Sequence, residues 1–311
     1  MKDQTFVGRW IVISGATFLV ACGGSGGGDE SSKVTLSYDT ENYAEKGVEI
    51  SSNTNLDGVF ALYDDLNEGF DLVEDIRTIL ISQSGGVSGT TNCDAGGTAT
   101  VKYAGEGWND DEVWELTDCV VSTYDYGDVF LNGSYRYVDT LTGESDTSES
   151  WKGFESFNVT GELKRTGEPL RLKGRADWDQ AYQWDNTTES GRVINTIDAF
   201  ELRIGDRYVA ILNAETRLEG TEFDAEYAMS GKLIGSAIGG YIQMSTPTPL
   251  AISDYENCPT AGVIRLSSDG AAEVRYGSSA GGTATAVAIW VDGQIVESYD
   301  DCSSVGFTPV Y

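Results

Sequence analysis

"LRLKGRADWDQAYQW", residues 170–184, alternates between two kinds of side chain along its length. Leu170, Leu172, Ala176, Trp178, Tyr182 and Trp184 fall on one side, with Arg171, Lys173, Arg175, Asp177 and Asp179 (and Asp185 just beyond) on the other. A period of two is the repeat of a strand, and one apolar side against one charged side marks an antiparallel sheet wetted on one face. The three aromatic residues share their side with Leu170 and Leu172. That makes them core rather than a platform for stacking sugars.

The same period extends in both directions. Upstream, "TATVKY", "EVWELTDCVVS", "DVFLNGSYRYVDT" and "SFNVTGELKR" read as successive strands, with Asn132-Gly133 as a turn or a bulge and Phe157, Val159 and Leu163 on one side. Downstream, "AFELRIGDRYVAILNAETRLEG" reads as a hairpin turning at Gly205-Asp206. "EFDAEYAMSGKLIGSAIGGYIQM" reads as another, with Phe223, Ala225, Tyr227 and Met229 inward. Two prolines in "STPTPL", residues 245–250, interrupt the ladder and suggest a boundary. After it, "GVIRLS", "AAEVRYG", "TATAVAIWV" and "QIVESY" make a small β unit.

One segment has a different period. In "DGVFALYDDLNEGFDLVEDIRTILIS", residues 57–82, Val59, Leu62, Tyr63, Leu66, Phe70, Val73 and Leu80 recur at helical spacing. Asp57 is the expected N-cap, and Ser84-Gly85-Gly86 stops the helix. Arg77 is the sole base among many acids here, so the helix is expected to pack its apolar stripe on the sheet and leave the acids in water. The fold class is therefore mainly β: a large curved antiparallel sheet or half-barrel, one packed amphipathic helix and a small C-terminal β unit.

The chain of 311 residues carries a net charge of −30, a surface that repels nucleic-acid phosphates and acidic headgroups. It has no histidine, which excludes Ser-His-Asp and Cys-His triads and histidine zinc sites. Thirty-eight glycines against five prolines suit strands and turns.

At the N-terminus, Lys2 and Arg9 precede the uncharged block "IVISGATFLV", residues 11–20. This is the build of a secretory signal peptide; as a helix the block would cover about 15 Å, half of a bilayer core. "Leu19-Val20-Ala21-Cys22" resembles the lipobox of bacterial lipoproteins, cleaved just before the cysteine. The resemblance implies acylation of Cys22, and two or more chains hold firmly because each buried CH₂ adds about 0.8 kcal/mol. Gly23 after the cysteine, in place of an aspartate, implies sorting to the outer membrane. "GGSGGGDESS" then reads as a flexible tether. The expected organisation is a signal peptide over 1–21, a tether over 22–32, the helix and main sheet over 33–246 and the small unit over 247–311.

With Cys22 acylated, Cys93, Cys119, Cys258 and Cys302 remain. An even number in an exported chain implies disulfides. Of three connectivities, Cys93–Cys119 with Cys258–Cys302 fits their grouping in two segments, and the absence of CxxC pairs argues against a Cys₄ metal site. "NCDAGGTATV", "DCVVSTYDYGDVFLNGSYRY", "IGGYIQMSTPTPL" and "NCPTAGVIRL" further resemble uncharacterised lipoproteins of Gram-negative bacteria. That resemblance implies a helix ahead of a long antiparallel run and a small terminal β module, and brings no known activity. Where such modules carry an aspartate-rich turn, this chain has only "WVDGQ" at 290–294.

Candidate sites are few. Trp108 and Trp114 flank an acidic stretch and are the aromatic residues expected to be exposed to a ligand. Asp110, Asp111 and Glu112 would take calcium if they took any ion, but they lack EF-hand spacing, and a solvated acidic turn is the plainer reading. No cofactor and no nucleic-acid partner are expected. The partners are the bilayer, through Cys22, and a glycan or protein. The expected function is a non-catalytic binding or adhesion role in the envelope, lipid-anchored at the outer membrane. The second reading is a periplasmic structural or assembly component, and the third a carboxylate-dependent glycan hydrolase.

Overall fold

The structure, a computed structural model, describes residues 36–37, 42–51, 56–185, 188–221, 223–253, 258–281, 286–302 and 305. The segments expected to be a signal peptide and a tether, Cys22 among them, lie outside the described residues. The chain is mainly β. After β1 (Glu49–Ile50) and α1 (Asp57–Ser84) come β2 (Gly89–Asn92), β3 (Thr98–Tyr103), β4 (Asp110–Thr123), β5 (Gly127–Ser145), β6 (Ser148–Leu163), β7 (Glu168–Trp184) and β8 (Glu189–Ile204). Then follow β9 (Arg207–Thr221), β10 (Asp224–Gly235), β11 (Gly240–Ser253), β12 (Ala261–Gly277), β13 (Val287–Val291) and β14 (Gln294–Tyr299). From β2 to β14 each strand pairs with the next in sequence, and the sheet stays open.

Local chemistry explains the turns. β8 and β9 meet across Gly205-Asp206, as the alternation required. Asp292 and Gly293 of "WVDGQ" have φ of 50° and 74°, the left-handed pair that a two-residue hairpin needs. Asn132-Gly133 is a bulge site within β5 rather than a turn: the β4 register slips between Leu116 and Cys119, and the Asn132 Oδ1 accepts the Asp118 N–H at 2.8 Å. A repeated local pattern ties residues two apart on one face. Trp114 donates to Glu112, Trp151 to Glu149, Arg175 to Asp177, Arg275 to Glu273 and Tyr299 to Glu297.

The small terminal unit continues the same sheet. The boundary expected at 246/247 falls inside β11, which pairs with β10 on one side and β12 on the other. Its prolines do disturb the ladder, since the register shifts between Ser245 and Thr248 and again between Thr248 and Ala251. The bulges absorb them without ending the strand. "GVIRLS" and "AAEVRYG" are likewise one strand, β12. The four cysteines pair as expected, Cys93–Cys119 and Cys258–Cys302.

α1 buries Val59, Leu62, Leu66, Phe70, Val73 and Leu80, and also Phe60, Leu72 and Ile76, so its apolar stripe is broader than the spacing suggested. Leu56, not Asp57, is the N-cap, with no side-chain cap bond; Asp57 sits in the first turn. Gly85 closes the helix in the left-handed conformation. Twenty-eight residues make a helix about 42 Å long, and the eight strand steps from β2 to β10 cover about 38 Å. The helix therefore crosses the strands instead of running along them. Near its start, Leu62 occupies the space where a Cβ on Gly235 would stand, 2.1 Å from Leu62 Cδ1. At mid-length Phe70 stacks on Phe200 at 4.0 Å. At its end, Ser84 Oγ lies 3.1 Å from Tyr103 Oη. Its backbone approaches β2, β4 and β8–β10 most closely, while over β5–β7 the rings of Tyr135, Phe157 and Phe200 fill the space. A helix that touches the sheet towards both ends, with large rings between, fits a sheet that curves. No described helix is long and apolar enough to cross a membrane.

The other face of β8–β11 is covered too. Leu36, Tyr43 and Ala44 pack on Tyr208, Ala210 and Ile234, and the Ser37 N–H donates to the fully buried Glu201 at 2.7 Å. The chain then passes through the sheet. Gly47 bridges Tyr241 of β11, while β1 pairs in parallel with Asp269 and Gly270 of β12. β1 thus wedges a fork between β11 and β12, and a Cβ on Gly270 would meet the Ile50 carbonyl oxygen at 2.0 Å.

Candidate functional site

Strand alternation disperses the residues expected to bind. Trp108 precedes β4 and is 68% exposed, but Trp114 is fully buried. Trp114 points to the helix side, where it meets Tyr103 edge-on at 6.1 Å and donates its indole N–H to Glu112 Oε2 at 3.1 Å. It is core, so the pair cannot form one exposed platform. The three acids are also separated. Asp110 and Glu112 share the helix face, whereas Asp111 lies on the opposite face and forms a two-point ion pair with Arg136 at 3.2 and 3.1 Å. They stand in strand β4 and not in a turn. Among the described residues no group of three or more acidic or cysteine side chains could hold a metal. In the hairpin expected to point inward, Met229 is buried, Ala225 and Tyr227 are half-buried and Phe223 is 43% exposed, because the inward row reaches the sheet end there.

A polar cluster under the C-terminal half of α1 replaces those expectations. Arg77 Nη2 donates to Glu112 Oε1 at 3.2 Å, and its guanidinium lies 3.8 Å above the Tyr137 ring. Register places Glu112, Tyr137 and Glu155 side by side on β4, β5 and β6. Tyr135 Oη donates to Glu155 Oε2 at 3.4 Å. One row further out, Trp178 donates its indole N–H to Asp139 Oδ1 at 2.9 Å. Arg77 was legible as the one base in an acidic helix. Glu155 could have been found by extending the Phe157–Val159 face one step back, where an acid enters an apolar row.

Burial pushes the Glu155 carboxyl up from 4.5 to about 7; Arg77 opposes the shift and Glu74 adds to it. Burial likewise raises Asp139, against its bond from Trp178. Glu112 and Glu155 stand two strands apart, so their backbones are about 9.6 Å apart. Both acids lie beneath the helix, with Glu112 only 4% exposed. The shallow depression lined by Asp65, Leu202, Ile204, Arg207, Tyr208 and Val209 encloses no room for a ligand. It holds neither of these acids. What the cluster does is bind the helix to the sheet through one cation shared among an acid and rings.

The raised carboxyl has a consequence for stability. Between its unfolded value of 4.5 and about 7, the folded chain holds a proton on Glu155 that the unfolded chain has lost. Rising pH across that window therefore destabilises the fold, by on the order of 3 kcal/mol at most. Glu155→Gln is expected to remove this slope and to stabilise the protein at pH 8. Urea unfolding at pH 5 and pH 8 checks it; parallel pH profiles for both proteins would refute it.

No protein-family model, curated protein or solved structure matches this chain. The class defined by fold and site is an open antiparallel sheet bolted to a crossing helix.

Proposed function

We propose that this chain is an outer-membrane lipoprotein, anchored through acylated Cys22, whose β domain serves a non-catalytic binding or adhesion role in the envelope. The observation that carries the reading is the pairing of all four remaining cysteines into two disulfides, bonds that persist in oxidising compartments outside the cytosol. The lipobox and the glycine-rich tether support the anchor, and the extended faces of β5–β8 support binding over a broad surface. The first described residues, Leu36 and Ser37, lie on the sheet face opposite the helix.

The test is protease shaving of intact cells, with permeabilised cells as control and Cys22→Ser for comparison. Loss of the domain from intact cells, with release of Cys22→Ser from the membrane fraction, is the expected result. Protection until permeabilisation would sink adhesion and favour a periplasmic structural or assembly role. Retention of Cys22→Ser in the membrane would remove the lipid anchor.

A further inference from the structure

Beyond the helix, the strands β5–β8 continue as an aromatic face. Register sets Asp139, Gly153 and Trp178 in one row. Leu141, Trp151 and Gln180 form the next, and Glu149, Tyr182 and Gly191 the one after. Trp151 and Tyr182 are half-buried, and the Tyr137 ring lies 5.3 Å from that of Trp178. Glycines let the rings lie down. A Cβ on Gly153 would meet the Trp178 ring at 2.5 Å, and one on Gly191 the Tyr182 ring at 2.9 Å. Each ring therefore spreads over its neighbour strand instead of standing off the sheet.

Charge separates the two faces of these strands. By alternation and register, every Lys and Arg in the described residues of β5–β8 lies on the opposite face. There Arg136 pairs with Asp111, Arg175 with Asp177, and Lys152 and Arg192 with Asp179. The aromatic face carries Asp139, Glu149 and Glu189 and no base of its own. Arg77, the cation that reaches its margin, is bound to Glu112. The field is visible at Tyr182, whose phenol burial and then Glu189, Asp139 and Glu149 push up to about 12.

Flat rings bordered by carboxylates, with no competing base, suit one chemistry. We infer that this face binds an organic ammonium ion, its alkyl shell against the half-buried Trp151 and Tyr182, beside the buried Trp178, and its charge towards Asp139 and Glu149. The inference deepens the binding role proposed above and rests on it.

The experiment titrates the full-length protein in detergent with choline, read by tryptophan fluorescence, alongside 3,3-dimethylbutanol, the uncharged isostere. Expected are a saturable response to choline, none to the isostere, and binding about tenfold weaker in Glu149→Gln. Lys152→Gln, on the opposite face, should bind as the parent does, and near-UV dichroism checks that each variant is folded. Phosphatidylcholine vesicles separate the sources: response to choline and vesicles marks a lipid headgroup, and response to choline alone a free ligand. Four results would overturn the inference. They are silence beyond about 10 mM choline, an equal response to the isostere, unchanged binding by Glu149→Gln, and a response to a neutral oligosaccharide with none to choline. Release or retention of Cys22→Ser is unaffected by any of these, so the anchor and the ligand fail separately.

Discussion

Arg77→Met is expected to lower the unfolding free energy by about 3–5 kcal/mol. The cost does not come from losing an attraction. Glu112 is 4% exposed and its oxygens are satisfied by Arg77 and the Trp114 indole, so methionine would leave a buried carboxylate with one neutral donor. It would also lift the guanidinium off Tyr137 and remove the cation that opposes the rise of Glu155. The pH-dependent loss attributed to Glu155 should then extend to higher pH. Urea unfolding with disulfides intact measures the first effect. Adding Glu112→Leu to Arg77→Met should recover most of the loss, because an apolar pair needs no partner. Failure of the double variant to recover would mean that Arg77 acts through packing alone.

Phe200→Ala is expected to cost a further-reaching 3–5 kcal/mol or so, this time from a cavity. Phe200 is fully buried, stacks on Phe70 of the helix at 4.0 Å and meets Phe157 of β6 edge-on at 5.9 Å. It fills the space where the curved sheet stands away from the helix, so neighbouring backbone cannot close in. Phe200→Leu should lose distinctly less, since it keeps most of the volume. Equal losses for leucine and alanine would show that ring stacking, not volume, is what matters there. A double-mutant cycle with Arg77→Met should come out close to additive, because the two contacts lie at different points along α1.

Much of this architecture is written in short-range pattern. The alternation of residues 170–184, the hairpin at Gly205-Asp206 and the helix over residues 57–82 each depend on a repeat or a turn chemistry that a few residues carry. Because consecutive strands pair throughout, reading the strands in order was nearly enough to order the sheet. The cysteine pairing followed for the same reason, since each bond closes within one region of the chain.

What the sequence by itself determined, then, is the mainly β class with one helix, the antiparallel run of the main sheet and the inward side of its clearest strands. Tertiary structure alone decided where the inward side is covered. α1 crosses the sheet, so Trp114 and Glu112 became core, while Trp151 and Tyr182, on the same face further along, stay half-buried. It also decided that Asp110 and Asp111 face apart with Arg136 taking the second, and that β1 enters between β11 and β12. The reason is physical: periodicity fixes a side chain's direction from its own neighbours, but burial depends on what arrives from far along the chain.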